Sequence, residues 1–215
     1  MFIRGSFTSD YAGNPVRIIA GQFRAMPLAA PEGQATRPVT DRAKQSLFDN
    51  LQDCFAVETD GKAGNVLDCF AGPGSMGLEC LSRGAAHAVF IERDRRALAA
   101  LKQNIAYLKV AERSTILPVD AYAWAETLKT QSPDHKTPYT VAFVDPPYAH
   151  TDTGHQRNQV DTLIRSLAAH AMVDGGIISF RHPSNVSIDP PALGVKLIRE
   201  LAYGDMTITW LTKAV

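Results

Sequence analysis

The sequence predicts an α/β protein: a doubly wound, mostly parallel sheet of seven strands, preceded by a small N-terminal extension of one hairpin and one helix. Three observations carry this expectation. From residue 66 onward, apolar strand-like runs alternate with amphipathic helix-like runs, the pattern of parallel βαβ units joined by right-handed crossovers. The first such run, Val66-Leu67-Asp68, leads into the glycine turn Gly72-Pro73-Gly74-Ser75-Met76-Gly77. Acids close four of the predicted strands: Asp68, Glu92, Asp120 and Asp145.

Residues 1–14 are polar with scattered aromatics and read as a loosely held extension. Val16 to Arg24 predicts a strand, and Met26-Pro27-Leu28 returns beside it to make a hairpin. Pro31 to Ala35 is loop, after which Thr40 or Asp41 caps a helix whose Ala43, Leu47, Phe48 and Leu51 share one face. The chain divides at residue 52, with extension 1–52 and core 53–215; Glu58 to Gly64 is the linker into the core. After the glycine turn, a helix through Leu78, Cys80 and Leu81 ends at Gly84. Ala88 to Glu92 is the second strand. Asp94 caps the next helix, which carries Leu98, Leu101, Ile105 and Leu108. Thr115 to Asp120 is the third strand and Ala121 to Lys129 a helix; Pro133 to Thr137 is a surface loop; Thr140 to Val144 is the fourth strand. His150 to Gln159 reads as a long, polar, mobile loop, and Val160 to Met172 as a helix. Ile177 to Phe180 is the fifth strand. Val195 to Leu201 and Met206 to Leu211 form a hairpin around Gly204-Asp205 that adds an antiparallel edge.

With 22 basic and 22 acidic residues the net charge is zero, so no global field favours nucleic acid. Contact with RNA would need a local patch, and residues 15–48 supply one: Arg17, Arg24, Arg37, Arg42 and Lys44 against Glu32 and Asp41. Three scattered cysteines, Cys54, Cys69 and Cys80, fit free buried thiols in a reducing cytoplasm. Without a C-x-x-C pair or close histidines, no metal site is expected. The absence of an apolar leader or a bilayer-length run argues for a cytoplasmic protein with no membrane partner.

The glycine turn lets the backbone bend sharply and brings free helix-start amides near a polar ligand. Glu92, 15 residues past Gly77, is placed to take both hydroxyls of a ribose, a contact that adenosyl compounds and NAD share. Asp145-Pro146-Pro147-Tyr148 has a more particular chemistry. An exocyclic ring amine is a poor nucleophile because its lone pair is delocalised. It needs acceptors for its hydrogens, which the Asp145 carboxylate and the Pro146 carbonyl can provide. Pro147 stiffens the turn, and Tyr148 can stack on the base.

This pairing of glycine loop and Asp-Pro-Pro-Tyr resembles the S-adenosylmethionine-dependent amino-methyltransferases. Further stretches are similar to the RsmD family, which methylates N2 of one guanine in bacterial 16S ribosomal RNA. They are Arg17-Ile18-Ile19-Ala20-Gly21-Gln22-Phe23-Arg24, Arg37-Pro38-Val39-Thr40-Asp41-Arg42, Ser46-Leu47-Phe48, Leu67 to Gly72, Leu81 to Ala85, Phe143 to Tyr148 and Tyr203-Gly204-Asp205. The resemblance runs from residue 16 to the end. It implies a Rossmann-like methyltransferase fold, S-adenosyl-L-methionine as cofactor, no metal, and 16S ribosomal RNA or the small ribosomal subunit as partner. Catalysis then falls to Asp145, Pro146, Pro147 and Tyr148. Cofactor binding falls to Asp68, Phe70, Ala71, Gly72, Gly74, Glu92, Arg93, Asp120, Ala121 and Asp145. Asp68 would take the amino end of the methionine moiety and Asp120 the adenine amino group. Arg17, Arg24, Arg37, Arg42 and Tyr148 would meet the RNA. Two departures stand out: Ala25-Met26 where the family usually has Gly-Arg, and Pro73 where it usually has Ser or Thr. An adenine-N6 or protein-amide methyltransferase fits the tetrapeptide equally well. An NAD-dependent dehydrogenase fits only the glycines and Glu92, and a non-catalytic ribosome-assembly protein leaves the acids unused.

Overall fold

The computed structural model describes residues 16–31, 41–55, 63–130, 138–152 and 154–214. Seven strands form one sheet in the order β3-β2-β1-β4-β5-β7-β6. They are β1 (Asn65–Asp68), β2 (His87–Ile91), β3 (Ser114–Leu117), β4 (Tyr139–Val144), β5 (Met172–Pro183), β6 (Val195–Tyr203) and β7 (Met206–Lys213). Five helices accompany them: α1 (Asp41–Phe55), α2 (Ser75–Ser82), α3 (Arg95–Leu108), α4 (Ala121–Thr127) and α5 (His155–His170). The first five strands run parallel, and β7 enters antiparallel between β5 and the edge strand β6. The expected edge hairpin is therefore a full part of the sheet.

The central strands β1, β2 and β4 are buried on both faces, which explains their continuous apolar runs. The pleat sends Val66, Phe90, Val141 and Phe143 to one side, where they pack against Leu47 and Phe48 of α1, Leu78 and Leu81 of α2, and Leu101 of α3. Leu67, Ile91, Ala142, Val144 and Phe180 face the other side, under α4 and the apolar stripe Val160, Leu163, Ile164 and Leu167 of α5. Asp94 caps α3 as expected, accepting from the amides of Arg96 at 3.0 Å and Ala97 at 2.9 Å.

Three local expectations change. Val16 to Arg24 is not a strand: pairing with the return segment is a single antiparallel bridge between Arg17 and Pro27, and residues 21–25 form turns. Ile18 still exchanges backbone hydrogen bonds with Ala25 and Met26, and the Leu28 amide donates to the Val16 carbonyl, but the amides of Ile19, Ala20 and Gln22 go to α2. Glu79 accepts from the amides of Ile19 at 2.8 Å and Ala20 at 2.9 Å. The Gln22 amide donates to the Ser82 carbonyl at 2.9 Å. Second, the stretch predicted as loop at 150–159 is loop only to residue 154. α5 starts at His155, because Arg157 bonds Asp161 one turn on and also the Thr151 and Ser187 carbonyls. Third, β5 starts five residues before the predicted Ile177 and runs past Phe180 to Pro183. Residues 1–14, the Pro31–Ala35 loop apart from Pro31, Arg37, Thr40, most of the linker and the Pro133–Thr137 loop lie outside the described residues.

The N-terminal segment shares the core of the sheet. Ile18 and Leu28 are buried in the cluster that holds α1 and α2. Gly21 has φ +81, and a Cβ there would stand 2.0 Å from the Ser82 carbonyl oxygen, so only glycine permits this docking.

Candidate active site at the switch in strand order

From β1 the chain steps outward through β2 and β3, then returns to place β4 on the other flank of β1. The crevice at the carboxyl ends of β1 and β4 is thus the place where an open α/β sheet receives a ligand. All four predicted acids stand along this edge: Asp68 closes β1, Glu92 follows β2, Asp120 follows β3 and Asp145 follows β4.

Asp68 is 2% exposed, and its Oδ2 accepts from the Gly77 amide at 3.1 Å. Gly74, the residue before α2, has no side chain to cap the helix, so the acid of β1 supplies the acceptor. Burial pushes the Asp68 carboxyl up to about 7, against the Gly77 hydrogen bond and with further upward push from Asp145 and Glu92. Such a carboxyl is short of positive charge, as a site for an ammonium group would be.

The three glycines differ in their reasons. Gly77 gives room to the Phe90 ring, 2.4 Å from a notional Cβ, and Gly74 gives room to Leu101 at 2.4 Å. Gly77 serves helix-to-strand packing and Gly74 serves packing of the turn against α3, both more directly than ligand approach. Gly72, at φ +54, has open space where its side chain would be, and its amide donates to Glu92 Oε2 at 2.8 Å. Glu92 Oε1 accepts from the amides of Arg93 at 2.8 Å and Asp94 at 2.7 Å, so the carboxylate is locked in orientation.

A small cavity of about 60 Å³ opens beside these groups, lined by Cys69, Phe70, Ile91, Glu92, Arg93, Val119, Asp120, Ala121, Tyr122 and His150. Ala71 is buried behind it, its amide bonded to the Ile91 carbonyl at 3.0 Å. Asp120 has two partners: Oδ1 caps α4 through the amides of Tyr122 at 2.9 Å and Ala123 at 3.0 Å, and Oδ2 pairs with Arg93 at 2.6 Å. The Tyr122 ring meets Phe70 edge-on, with centroids 5.4 Å apart. A wider cavity of about 320 Å³ adjoins across Asp120 and Tyr122, toward α5.

Asp145 to Tyr148 form a pinned turn. The Pro147 carbonyl accepts from the His150 amide at 2.8 Å, and the Tyr148 carbonyl from the Thr151 amide at 2.9 Å. The Pro146 carbonyl has no partner among the described residues. Three elements hold the turn from outside. Tyr122 Oη of α4 meets His150 Nδ1 at 2.9 Å, Arg157 of α5 donates to the Thr151 carbonyl at 3.1 Å, and Arg181 of β5 donates to Asp145 Oδ1 at 2.5 Å. Tyr148 is 37% exposed. Burial raises the Asp145 carboxyl above the ordinary range, and the Arg181 charge opposes that rise.

Of the basic patch, Arg24 and Arg42 are exposed, while Arg17 is paired with Asp41 at 2.7 Å; Arg37 lies outside the described residues. His182 is buried, bonded to the Pro183 carbonyl and Thr209, Trp210 is buried, and Trp124 packs on the α4 and α5 side. Cys69 and Cys80 are buried free thiols. Among the described residues no cluster of metal-ligating side chains occurs, and no helix is long and apolar enough to cross a membrane. Arg181, Tyr122 and His150 are the site residues that sequence reasoning missed. The one usable sign for Arg181 was that it directly follows the apolar run Ile177 to Phe180, at the same step past its strand as Asp145.

Comparison with known proteins bears on the fold and the family. The model of the family described as "Conserved hypothetical protein 95" matches residues 16–212. "Putative rRNA methyltransferase YlbH" of Bacillus subtilis is 30% identical over 190 residues, 88% of this chain and 94% of that protein. "Ribosomal RNA small subunit methyltransferase D" of Escherichia coli is 39% identical over 133 residues, 62% of this chain and 60% of that one. The solved structure titled "Putative methyltransferase yhhF from Escherichia coli" superposes with a TM-score of 0.71 at 27% identity, covering 94% of this chain and 100% of that one.

Proposed function

The chain belongs to the family described as Conserved hypothetical protein 95, the RsmD family that its motifs resemble, and on that premise we propose that it is an S-adenosylmethionine-dependent methyltransferase of 16S ribosomal RNA, acting on a guanine N2 in the cytoplasm. The observation that carries the reading is the adjacency of two things at the β1/β4 crevice. One is a cavity edged by Glu92 and Asp120; the other is a rigid Asp-Pro-Pro-Tyr turn whose His150 forms part of the cavity wall.

The residues present fit the cofactor. Asp68 would take its ammonium, Glu92 the ribose hydroxyls and Asp120 the adenine amino group. Phe70, Ala71, Gly72, Gly74, Arg93 and Ala121 would shape the surroundings. Bound there, S-adenosylmethionine supplies a methyl group on a positively charged sulfur. The chain's own contribution is positioning and exclusion of water. Asp145 and the Pro146 carbonyl accept the two hydrogens of the amine and aim its lone pair at the methyl carbon. Pro147 keeps that carbonyl turned out, and Tyr148 stacks on the base. The proton that the methylated amine must lose would pass to Asp145 or to water. Arg24, Arg42, Arg37 and Arg17 supply phosphate contacts, with Arg17 partly neutralised by Asp41. The partner is 16S ribosomal RNA, free or in the small subunit.

The deciding experiment is incubation with labelled S-adenosylmethionine and small ribosomal subunits lacking the modification, followed by nucleoside mass analysis. N2-methylguanosine is the expected product. Methyladenosine, or label in protein, would replace this substrate assignment with another.

A further inference from the structure

Arg181 is the one charged side chain that meets both ends of the Asp-Pro-Pro-Tyr turn among the contacts described. The sheet register puts it there. Val144 of β4 pairs with Phe180 of β5, so Asp145, the first residue past β4, stands beside Arg181, which is still in β5 and pairs on its other side with Ile208 of β7. The Arg181 Nε donates to Asp145 Oδ1, and its guanidinium carbon lies 5.6 Å from the centre of the Tyr148 ring. Its Nη1 also lies 3.6 Å from the Met206 sulfur on β7. The side chain is only 13% exposed, and its carboxylate partner 25%. At this burial a planar guanidinium is held by its partners, and a loose surface pair of the same composition would fix little.

We propose that Arg181 is a positioning residue for the transfer, fixing the Asp145 carboxylate and backing the Tyr148 ring so that acceptor and stacking face keep one mutual geometry. The inference rests on the methyl-transfer role given above to Asp145 and Tyr148. A carboxylate engaged at one oxygen retains acceptor sites for an amine hydrogen. The guanidinium charge opposes the upward push that burial gives the carboxyl, and a protonated acid accepts less well. Behind the ring, the cation draws on the π-face opposite to the one a base would use. The titratable and charged groups around Asp145 are Arg181 from β5, Asp68 from β1 with Lys44 of α1 behind it, and Tyr148 on the same turn.

The test uses the full chain with Arg181→Met and Arg181→Lys and reads two quantities. The first needs no RNA: the Asp145 carboxyl titration by carbon-13 NMR in the ligand-free protein, assigned with Asp145→Asn. Arg181→Met is expected to move this titration to higher pH, with Arg181→Lys in between. An unmoved titration overturns the proposal, whether or not the protein methylates RNA. The second is the split between kcat and binding on the substrate established for the wild type. Arg181→Met is expected to lower kcat roughly 10- to 150-fold, the range for losing one charge-assisted hydrogen bond. Affinity for S-adenosylhomocysteine should stay within about twofold, and Arg181→Lys should recover part of kcat. A wild-type kcat in Arg181→Met, or an equal loss of S-adenosylhomocysteine affinity, overturns the proposal. A wild type that methylates no RNA would overturn the function given above, and the NMR titration would still decide the contact.

Discussion

Asp68 and Gly77 are joined across the glycine turn: the acid that ends β1 accepts, at 3.1 Å, the third amide of the helix that follows. Burying that acid costs the protein something at neutral pH. Buried Asp68 binds its proton up to about 7 in the folded chain, against 3.8 ordinarily. Between those values the folded state holds a proton that the unfolded state has released. Its contribution to stability is therefore fully present below 3.8 and is lost as pH rises to about 7. Urea midpoints of the ligand-free protein should fall between pH 5 and pH 8, and Asp68→Asn, which keeps an acceptor for Gly77, should flatten that fall. If the ammonium of the cofactor sits on Asp68, binding should also expel the proton, so affinity should rise with pH through the same interval. An identical slope in Asp68→Asn would remove Asp68 as the origin.

The glycines separate packing from ligand contact. Gly77→Ala drives a methyl into Phe90 and should cost roughly 1–3 kcal/mol of stability, as overpacking does. Gly72→Ala enters open space and bears only the left-handed backbone penalty, about 1–2 kcal/mol. It also disturbs the amide that orients Glu92, so its larger effect should be on cofactor affinity. Denaturation and calorimetry on the two variants should give opposite rankings. The same ranking by both methods would mean that Gly72 acts through the fold alone.

At the tetrapeptide, Asp145→Ala should abolish turnover with S-adenosylhomocysteine binding largely intact, and Asp145→Asn should retain some activity. Tyr148→Phe keeps the ring and should behave like the wild type. Tyr148→Ala should lose roughly 5- to 150-fold in kcat/KM, corresponding to about 1–3 kcal/mol of base stacking. A Phe variant as impaired as the Ala variant would assign the role to the hydroxyl instead.

Ala25 sits at φ +66, a conformation that costs a side chain about 1–2 kcal/mol and glycine nothing. Glycine gives back part of that gain through its freer unfolded chain. Ala25→Gly should therefore raise stability by roughly 0.5–1 kcal/mol, read as an increased urea midpoint at unchanged slope. A lower midpoint would show that the turn at residues 21–25 is relieved by some other means.

The framework was legible because its signals are local. Alternating periods, the glycine turn and acids at strand ends each occupy a few neighbouring residues. The Val16–Arg24 segment misled because an apolar run with basic residues looks alike whether its amides pair with a strand or with a carboxylate. Glu79, the acid that takes two of them, lies about 60 residues away. The loop predicted at 150–159 misled for a related reason: Arg157 holds a helical first turn by bonds to Thr151 and Ser187 that no helical spacing announces. Arg181 escaped because register between β4 and β5 is a property of two strands at once. Asp120 was read as a ligand group and also caps α4; a strand-end acid can do both, and only the structure shows its partners.

Glu79, itself fully buried, receives the amides of Ile19 and Ala20, the Lys44 ammonium at 3.1 Å and the Arg83 guanidinium at 2.9 Å. Anyone recombining such enzymes to change what they recognise would be tempted to treat the leading segment as an exchangeable cassette. It is not one. A transplanted leader would arrive at an acid already committed to two cations and missing two amides, in a place where solvent cannot substitute. The heritable unit is the leader together with α1 and α2, and a graft that respects that seam is the one that should survive.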